Sequence, residues 1–359
     1  MTDKMPGSAT DWTRRHLLKA GIGTAASIAS PMLSRGVAAA EDNTVYIGTW
    51  GGNWQKAQEE FGFKPFTERT GIKVIPFQGP SLGKLKGVVE TKTYDFDIGD
   101  SAYWAAEQDN LVEPRDLSAI DMTNIPKECL VGIGGFRNVV YSAVLAYRKD
   151  AFAGGGPQGW ADFWDVKRFP GKRALMQTQA HIVMEYALLA DGVPPDKVYP
   201  LDIDRAFRKM NEIKPHITVW WAQVPQSQQL IRDGEVVMTA IWSSAAQVFE
   251  QAKVPIEFVW NGAHIESGSA FYVARGTPRA KLAWRYMETF MDPKLHAKFA
   301  VALGYGPGNP KSFDFMTKEE IARAPNSPDK LAIGVQPDYA WLQPRQNMLK
   351  DKFLEWLAA

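Results

Sequence analysis

The sequence predicts an α/β protein of two lobes, each built on a central mixed or parallel sheet flanked by helices. Three observations lead there. Short apolar runs alternate with stretches of helical spacing along the chain, the pattern of strand–helix–strand units and parallel sheets. Three of those runs end in polar junctions that open into helices, the layout of a ligand site at the carboxyl ends of strands. The third observation is length. Of 359 residues, 319 remain past an N-terminal leader, and single cores stop growing near ~250–300 residues.

The leader is expected over residues 1–40. Thr13-Arg14-Arg15-His16-Leu17-Leu18-Lys19 is a twin-arginine pattern, followed by a weakly apolar run and by Ala38-Ala39-Ala40. This reads as a cleavable signal with an Ala-x-Ala processing site after Ala40. The run from Ala20 to Leu33 contains Pro31 and is too short to span a bilayer. Removing the leader takes away five Lys/Arg and two Asp/Glu, leaving 36 basic and 38 acidic residues, net −2. That balance carries no electrostatic footprint for nucleic acid. The single cysteine, Cys129, rules out an internal disulfide, and the five histidines are scattered without metal-ligand pairing.

In chain order, Thr44 to Thr49 reads as a strand and Asn53 as a cap for a helix from Trp54 to about Arg69. Ile72 to Phe77, Leu82 to Thr91 and Tyr94 to Ile98 continue as strand, helix, strand; Ser101 to Asp109 starts a helix. Val139 to Tyr147 is the longest β-like run. Gly159 to Trp164, Val183 to Ala190, Asp204 to Ile213 and Pro225 to Asp233 read as helices, with short strands at Arg173 to Met176 and Val219 to Trp221. Strands at Ile256 to Trp260 and Ala270 to Ala274 precede the amphipathic helix Arg279 to Met291. A further helix follows at Lys294 to Leu303, and two helical pieces form the tail, Tyr339 to Leu342 and Asn347 to Leu357.

The stretch Gly234-Glu-Val-Val-Met-Thr-Ala-Ile-Trp-Ser-Ser-Ala245 organises the rest. Val236 to Ile241 has the composition of a strand buried on both faces. It delivers Trp242, Ser243 and Ser244 to a helix start, where serine hydroxyls can cap unpaired N–H groups. Thr49 running into Trp50 and Gly99 running into Asp100-Ser101 repeat the pattern. One cleft fed by several loops is expected.

The chain resembles the periplasmic solute-binding proteins of ABC importers, specifically the spermidine/putrescine-binding type. The resemblance is carried by Trp50-Gly-Gly-Asn-Trp-Gln-Lys-Ala57, Tyr94-Asp-Phe-Asp-Ile98 with Leu111-Val-Glu-Pro114, and Ala143-Val-Leu-Ala-Tyr-Arg-Lys-Asp150. Trp160 to Gly171, Trp220-Trp221, Gly234 to Met238, Val259 to Gly262 and Gly304-Tyr-Gly-Pro307 continue it across the chain. It implies a periplasmic binding protein type II-like fold, hinged by two crossing strands, that closes over a small solute and delivers it to an inner-membrane permease. A monomer without cofactor or metal is expected. The lobes are expected at 41–147, 148–271 and 272–320, with C-terminal helices over 321–359. Val144 to Tyr147 and Phe271 to Ala274 are the expected crossings.

By the same resemblance, amine ligands are held by aromatic walls and a carboxylate before the second crossing. Trp50, Tyr141, Trp220, Trp221 and Trp242 are the aromatic candidates, at most one of the adjacent pair facing a cleft. Where polyamine binders place an Asp, this chain reads Glu266-Ser267-Gly268-Ser269-Ala270. Where many relatives read Asn-Gly-Arg, it reads Ser243-Ser244-Ala245. Glu266 and Asp100 are the acids that can replace the expected carboxylate. An amine or quaternary-ammonium solute is the first reading and a neutral aromatic or polyol-like solute the second. An enzyme is disfavoured: the serines lie in no Gly-x-Ser-x-Gly elbow and no histidine is placed to serve them. A ferric-iron carrier would need clustered tyrosines, and the chain has no adjacent Tyr-Tyr pair.

Overall fold

A computed structural model describes residues 43–359; the expected leader lies outside them. Two six-stranded sheets organise the described chain. The first runs β2 (Lys73–Gln78), β1 (Thr44–Thr49), β3 (Ile98–Gly99), β11 (Ala270–Val273), β5 (Gly135–Arg137), β4 (Leu130–Val131). β1 pairs in parallel with β2 and β3, while β11 is antiparallel to β3 and β5. The second runs β10 (Ile256–Glu266), β6 (Val139–Arg148), β9 (Met238–Trp242), β7 (Arg173–Met176), β8 (Ile217–Trp221), with β12 (Gly306–Pro307) on β6. Strand–helix units give its parallel pairs β7–β8 and β7–β9; the long β6 and β10 run antiparallel.

Each sheet carries its own core. Ile47, Phe66, Ile98, Phe271, Trp284 and Phe290 pack on the first, with Phe96, Tyr103 and Tyr272 in an adjoining cluster. Val144, Leu175, Tyr186, Met238 and Ile241 pack on the second. The C-terminal helix Gln346–Ala358 buries Leu349 and Phe353 in that second core, which assigns the tail.

The chain passes between sheets at short polar breaks, not within the long apolar runs. β5 ends at Arg137 and β6 begins at Val139, so the outward passage is Asn138; β10 ends at Glu266 and β11 begins at Ala270, so the return is Ser267 to Ser269. The Asn138 N–H donates to the Ser269 carbonyl at 3.3 Å, tying the passages side by side. Val144–Tyr147 therefore lies wholly within the second sheet and Phe271–Val273 within the first. An uninterrupted apolar run looks the same whichever sheet it joins, because buried strands carry no mark of their partners.

Locally, the first long helix is broken differently from its spacing. Gly52–Gln58 and Lys64–Thr70 are α-helical, joined by a π-helical turn over Glu59–Phe63. A Cβ on Gly62 within that turn would stand 2.6 Å from the Tyr286 hydroxyl, so glycine admits the close approach. Asn53 does not cap this helix; Gly51, at φ 76°, occupies that position. The strand expected at Tyr94 to Ile98 is reduced to Ile98–Gly99; just before it, Asp97 still bonds through its backbone to the Tyr46 carbonyl and the Ala274 N–H, while its carboxylate accepts from Arg279 Nε at 2.8 Å and from the Tyr46 N–H at 2.9 Å.

Candidate functional site

β1, β3 and β9 all end at one cleft of about 720 Å³. Trp50 follows β1, Asp100 and Ser101 follow β3, and Trp242 closes β9, with Ser244 just beyond it; all line the cleft. Tyr141 reaches it from β6, and Glu266 and Ser269 from the end of β10 and the return passage. Eight of the eleven expected residues are thus brought together.

Three are not. Trp221 is 1% exposed in the second core. Trp220, on the opposite face of β8, meets Phe353 and Trp356 of the C-terminal helix edge-on at 5.9 and 5.6 Å. Strand alternation separated the two faces, but both were covered, one by the core and one by the tail. Ser243 turns inward, its Oγ accepting from the Ser142 N–H at 3.3 Å. Nor does Ser244 cap the following helix with its side chain; its hydroxyl lies by that of Tyr305.

Aromatic walls dominate the lining. Tyr141 stands edge-on to Trp242 at 5.2 Å and tilted to Tyr305 at 5.9 Å. Trp104 stacks on Tyr339 with 5.4 Å between centroids and 17° between planes. Trp54 meets Tyr305 at 6.2 Å. Sequence reasoning missed Trp54, Trp104, Tyr305 and Tyr339. Trp104 had a signal, lying one helical turn past Ser101, and so did Trp54, within the glycine-rich opening. Tyr339, in the distant tail, had none.

The two carboxylates are held differently. Glu266 Oε1 accepts the Gly268 N–H at 2.8 Å and the Tyr339 hydroxyl, and Oε2 is 3.6 Å from His264 Nε2. Burial pushes its carboxyl up, but the His264 ring, the Tyr339 hydroxyl and the Gly268 N–H together hold it below the usual carboxylate range. Asp100 has no such support. Trp50 Nε1 donates to its Oδ2 at 3.0 Å, while its buried Oδ1 has no protein partner. Burial pushes this carboxyl up to about 7, with the Trp50 bond opposing. Among the described residues the lining contains no Lys, Arg or His. Three lining donors, Trp54 Nε1, Trp104 Nε1 and Asn138 Nδ2, are buried without acceptors. Buried polar groups are seldom left so, and here they surround a space that a solute can fill.

A profile of the bacterial extracellular solute-binding proteins matches residues 63–329. The chain belongs to that family. The gamma-aminobutyric acid-binding protein of Pseudomonas aeruginosa is 28% identical over 335 residues, covering 89% of this chain and 93% of the relative. The spermidine/putrescine-binding periplasmic protein of Escherichia coli is 23% identical over 321 residues, covering 83% and 84%. An ABC transporter substrate-binding protein of Bradyrhizobium japonicum superposes with a TM-score of 0.81 at 33% identity, covering 87% of this chain and 99% of its own. The extracellular solute-binding protein described here is therefore the substrate-binding component of an ABC transporter, with the type II-like fold, and not an enzyme.

Proposed function

We propose that this solute-binding protein captures an organic cation, an amine, polyamine-like or quaternary-ammonium solute, with Asp100 as the counter-charge. The observation that carries this is charge: the cleft brings two carboxylates and, among its described lining residues, no basic side chain. A solute carboxylate brought there would be buried without a cationic partner, at a cost of several kcal/mol. Glu266 is already satisfied by Tyr339, Gly268 and His264, whereas Asp100 Oδ1 is open. The faces of Trp50, Tyr141 and Trp242 carry no Lys or Arg from this chain among the described residues. A ligand cation over such a face gains ~0.5–2 kcal/mol. The open indole and amide donors ask for an oxygen elsewhere on the solute, and a hydroxyl, ether or amide supplies one without a charge. Ser101, Ser244 and Ser269 add hydroxyls.

Export through the twin-arginine route, cleavage near Ala40 and action as a periplasmic monomer that docks on a permease complete the reading. It is supported by the Arg14-Arg15 leader and by the periplasmic relatives. The side-by-side passages at Asn138 and Ser267–Ser269 are the natural hinge for closure over the solute. Calorimetry with putrescine, choline, gamma-aminobutyric acid and glycerol tests the ligand class. A cation lacking a carboxylate should bind at least tenfold tighter than gamma-aminobutyric acid, or about 1.4 kcal/mol. Tighter binding of the zwitterion would overturn the charge argument, and glycerol alone binding would favour a neutral solute.

A further inference from the structure

In the interior of the second half, behind Glu266, three side chains meet that do not line the solute cleft. The helix Ala180–Ala190 buries every residue from Ala180 to Leu188. His181 and Glu185 lie four apart on it and so share a face. β10 brings His264 to them just past its irregularity between Val259 and His264. One donor atom from each of His181, Glu185 and His264 lies within 4.8 Å of the other two. His264 Nδ1 is 2.8 Å from Glu185 Oε2, and the two imidazoles meet edge to face at 5.5 Å.

Hydrogen-bonded packing leaves two things about this cluster unexplained. His181 is buried, 8% exposed, yet among the described residues its ring makes no hydrogen bond; its contact is the face of His264. Charge is also unbalanced. Glu185 and Glu266 bring two carboxylates, and the ion-pair partner of both among the described residues is the single ring of His264. A buried carboxylate without a full counter-charge is costly.

We propose that His181, Glu185 and His264 bind a divalent transition-metal ion, zinc in the first instance. Two imidazole nitrogens and a carboxylate oxygen are a donor set that suits zinc and its borderline neighbours, not the oxygen-seeking calcium or magnesium. Tetrahedral ligands at ~2.0–2.1 Å stand about 3.3 Å apart. Opening the His264–Glu185 pair from 2.8 Å to that spacing is a small side-chain rotation. The surroundings match what metal-bound imidazoles and carboxylates require. Glu185 Oε1 receives the Tyr199 hydroxyl at 2.5 Å, which orients it. His264 Nε2, the opposite nitrogen, is buried without a hydrogen-bond partner, and Glu266 Oε2 stands 3.6 Å from it, where a small shift would make the carboxylate bond that fixes the tautomer of a ligating ring. An ion here ties the buried helix to β10 immediately beneath the return passage. This inference does not depend on the nature of the solute.

The test is metal content of the tag-free full chain, stripped with chelator, mixed with zinc sulfate, gel-filtered and assayed by plasma mass spectrometry. One zinc per chain and a zinc-dependent rise in melting temperature are expected. Cobalt(II) should give the visible absorption of a low-coordinate site. His181→Ala and, should that variant fold poorly, His181→Gln should lose the zinc and the cobalt spectrum together. Both should keep the wild-type solute affinity, since His181 does not line the cleft. No retained zinc in the wild-type chain, or equal retention in the folded His181 variants, would overturn the proposal.

Discussion

Asp100→Asn separates recognition from stability in a single residue. The carboxyl of Asp100 is raised from 3.8 to about 7 because burial penalises its charge. Above pH 7 the unliganded fold therefore carries an ionised, half-satisfied group, at a cost of about 3–5 kcal/mol for a shift of some three units. The sign follows from proton counting. Between pH 4 and 7 the folded chain holds a proton on Asp100 that the unfolded chain has lost, so this group's contribution to stability declines as pH rises through that window. Asparagine keeps an oxygen for the Trp50 N–H and removes the charge. Urea unfolding at pH 8 should show Asp100→Asn more stable than wild type by about 2–4 kcal/mol, the gain shrinking by roughly 2–3 kcal/mol at pH 5. Cation binding should move the other way. Losing one partner of a buried charge pair costs about 2–4 kcal/mol, or roughly 30- to 900-fold in affinity. Wild-type affinity itself should fall about tenfold per unit below pH 7 as Asp100 takes up its proton. A stability gain equal at both pH values, or an unchanged dissociation constant, would refute the assignment of Asp100 as the buried counter-charge.

Two tryptophans make a paired comparison. Trp242→Ala removes a cleft wall that packs on Tyr141 and should weaken solute binding at least tenfold with an unchanged far-ultraviolet spectrum; unchanged affinity, read by calorimetry, would take Trp242 out of the site. Trp221→Ala empties a fully buried position of the second core, so chemical denaturation should show a loss of about 3–5 kcal/mol while the folded fraction binds solute as before; lost affinity without lost stability would return Trp221 to the cleft.

The fold was legible where local chemistry dictates it. Arg173–Met176 and Leu82–Thr91 form over the expected residues, and the helix expected from Gly159 begins one residue later, as Trp160–Trp164, because apolar alternation and helical spacing are properties of short windows. The three strand-end mouths were legible for the same reason: a strand that stops at Trp242 or Asp100 must deposit the next side chains at the sheet's edge. Partner choice was not. Whether Val144 belongs to one sheet or the other depends on Ile241 and the residues it meets across the ladder, roughly a hundred positions away. The same limit explains two of the errors at the site. Trp220 loses its claim to the Phe353–Trp356 helix, and Tyr339 gains its place by stacking on Trp104, each through a tail whose docking no local pattern announces.

That limit also bears on how recognition diverges within one architecture. The loops that carry Trp50, Asp100 and Trp242 are fixed to strand ends, so their positions follow from the sheet whatever the solute. The groups that hold the cleft's other carboxylate, Glu266, come from two places: Tyr339 from the tail and His264 from β10 itself. On the proposed reading, holding Glu266 in this way while Asp100 Oδ1 has no protein partner would set the polarity of the cleft without changing its walls. A homologous cleft that supplied a guanidinium at Ser244 would meet a solute carboxylate at the same strand end. On the same reading, selectivity for cation or zwitterion would turn on a few side chains set against a scaffold that the aromatic walls hold constant.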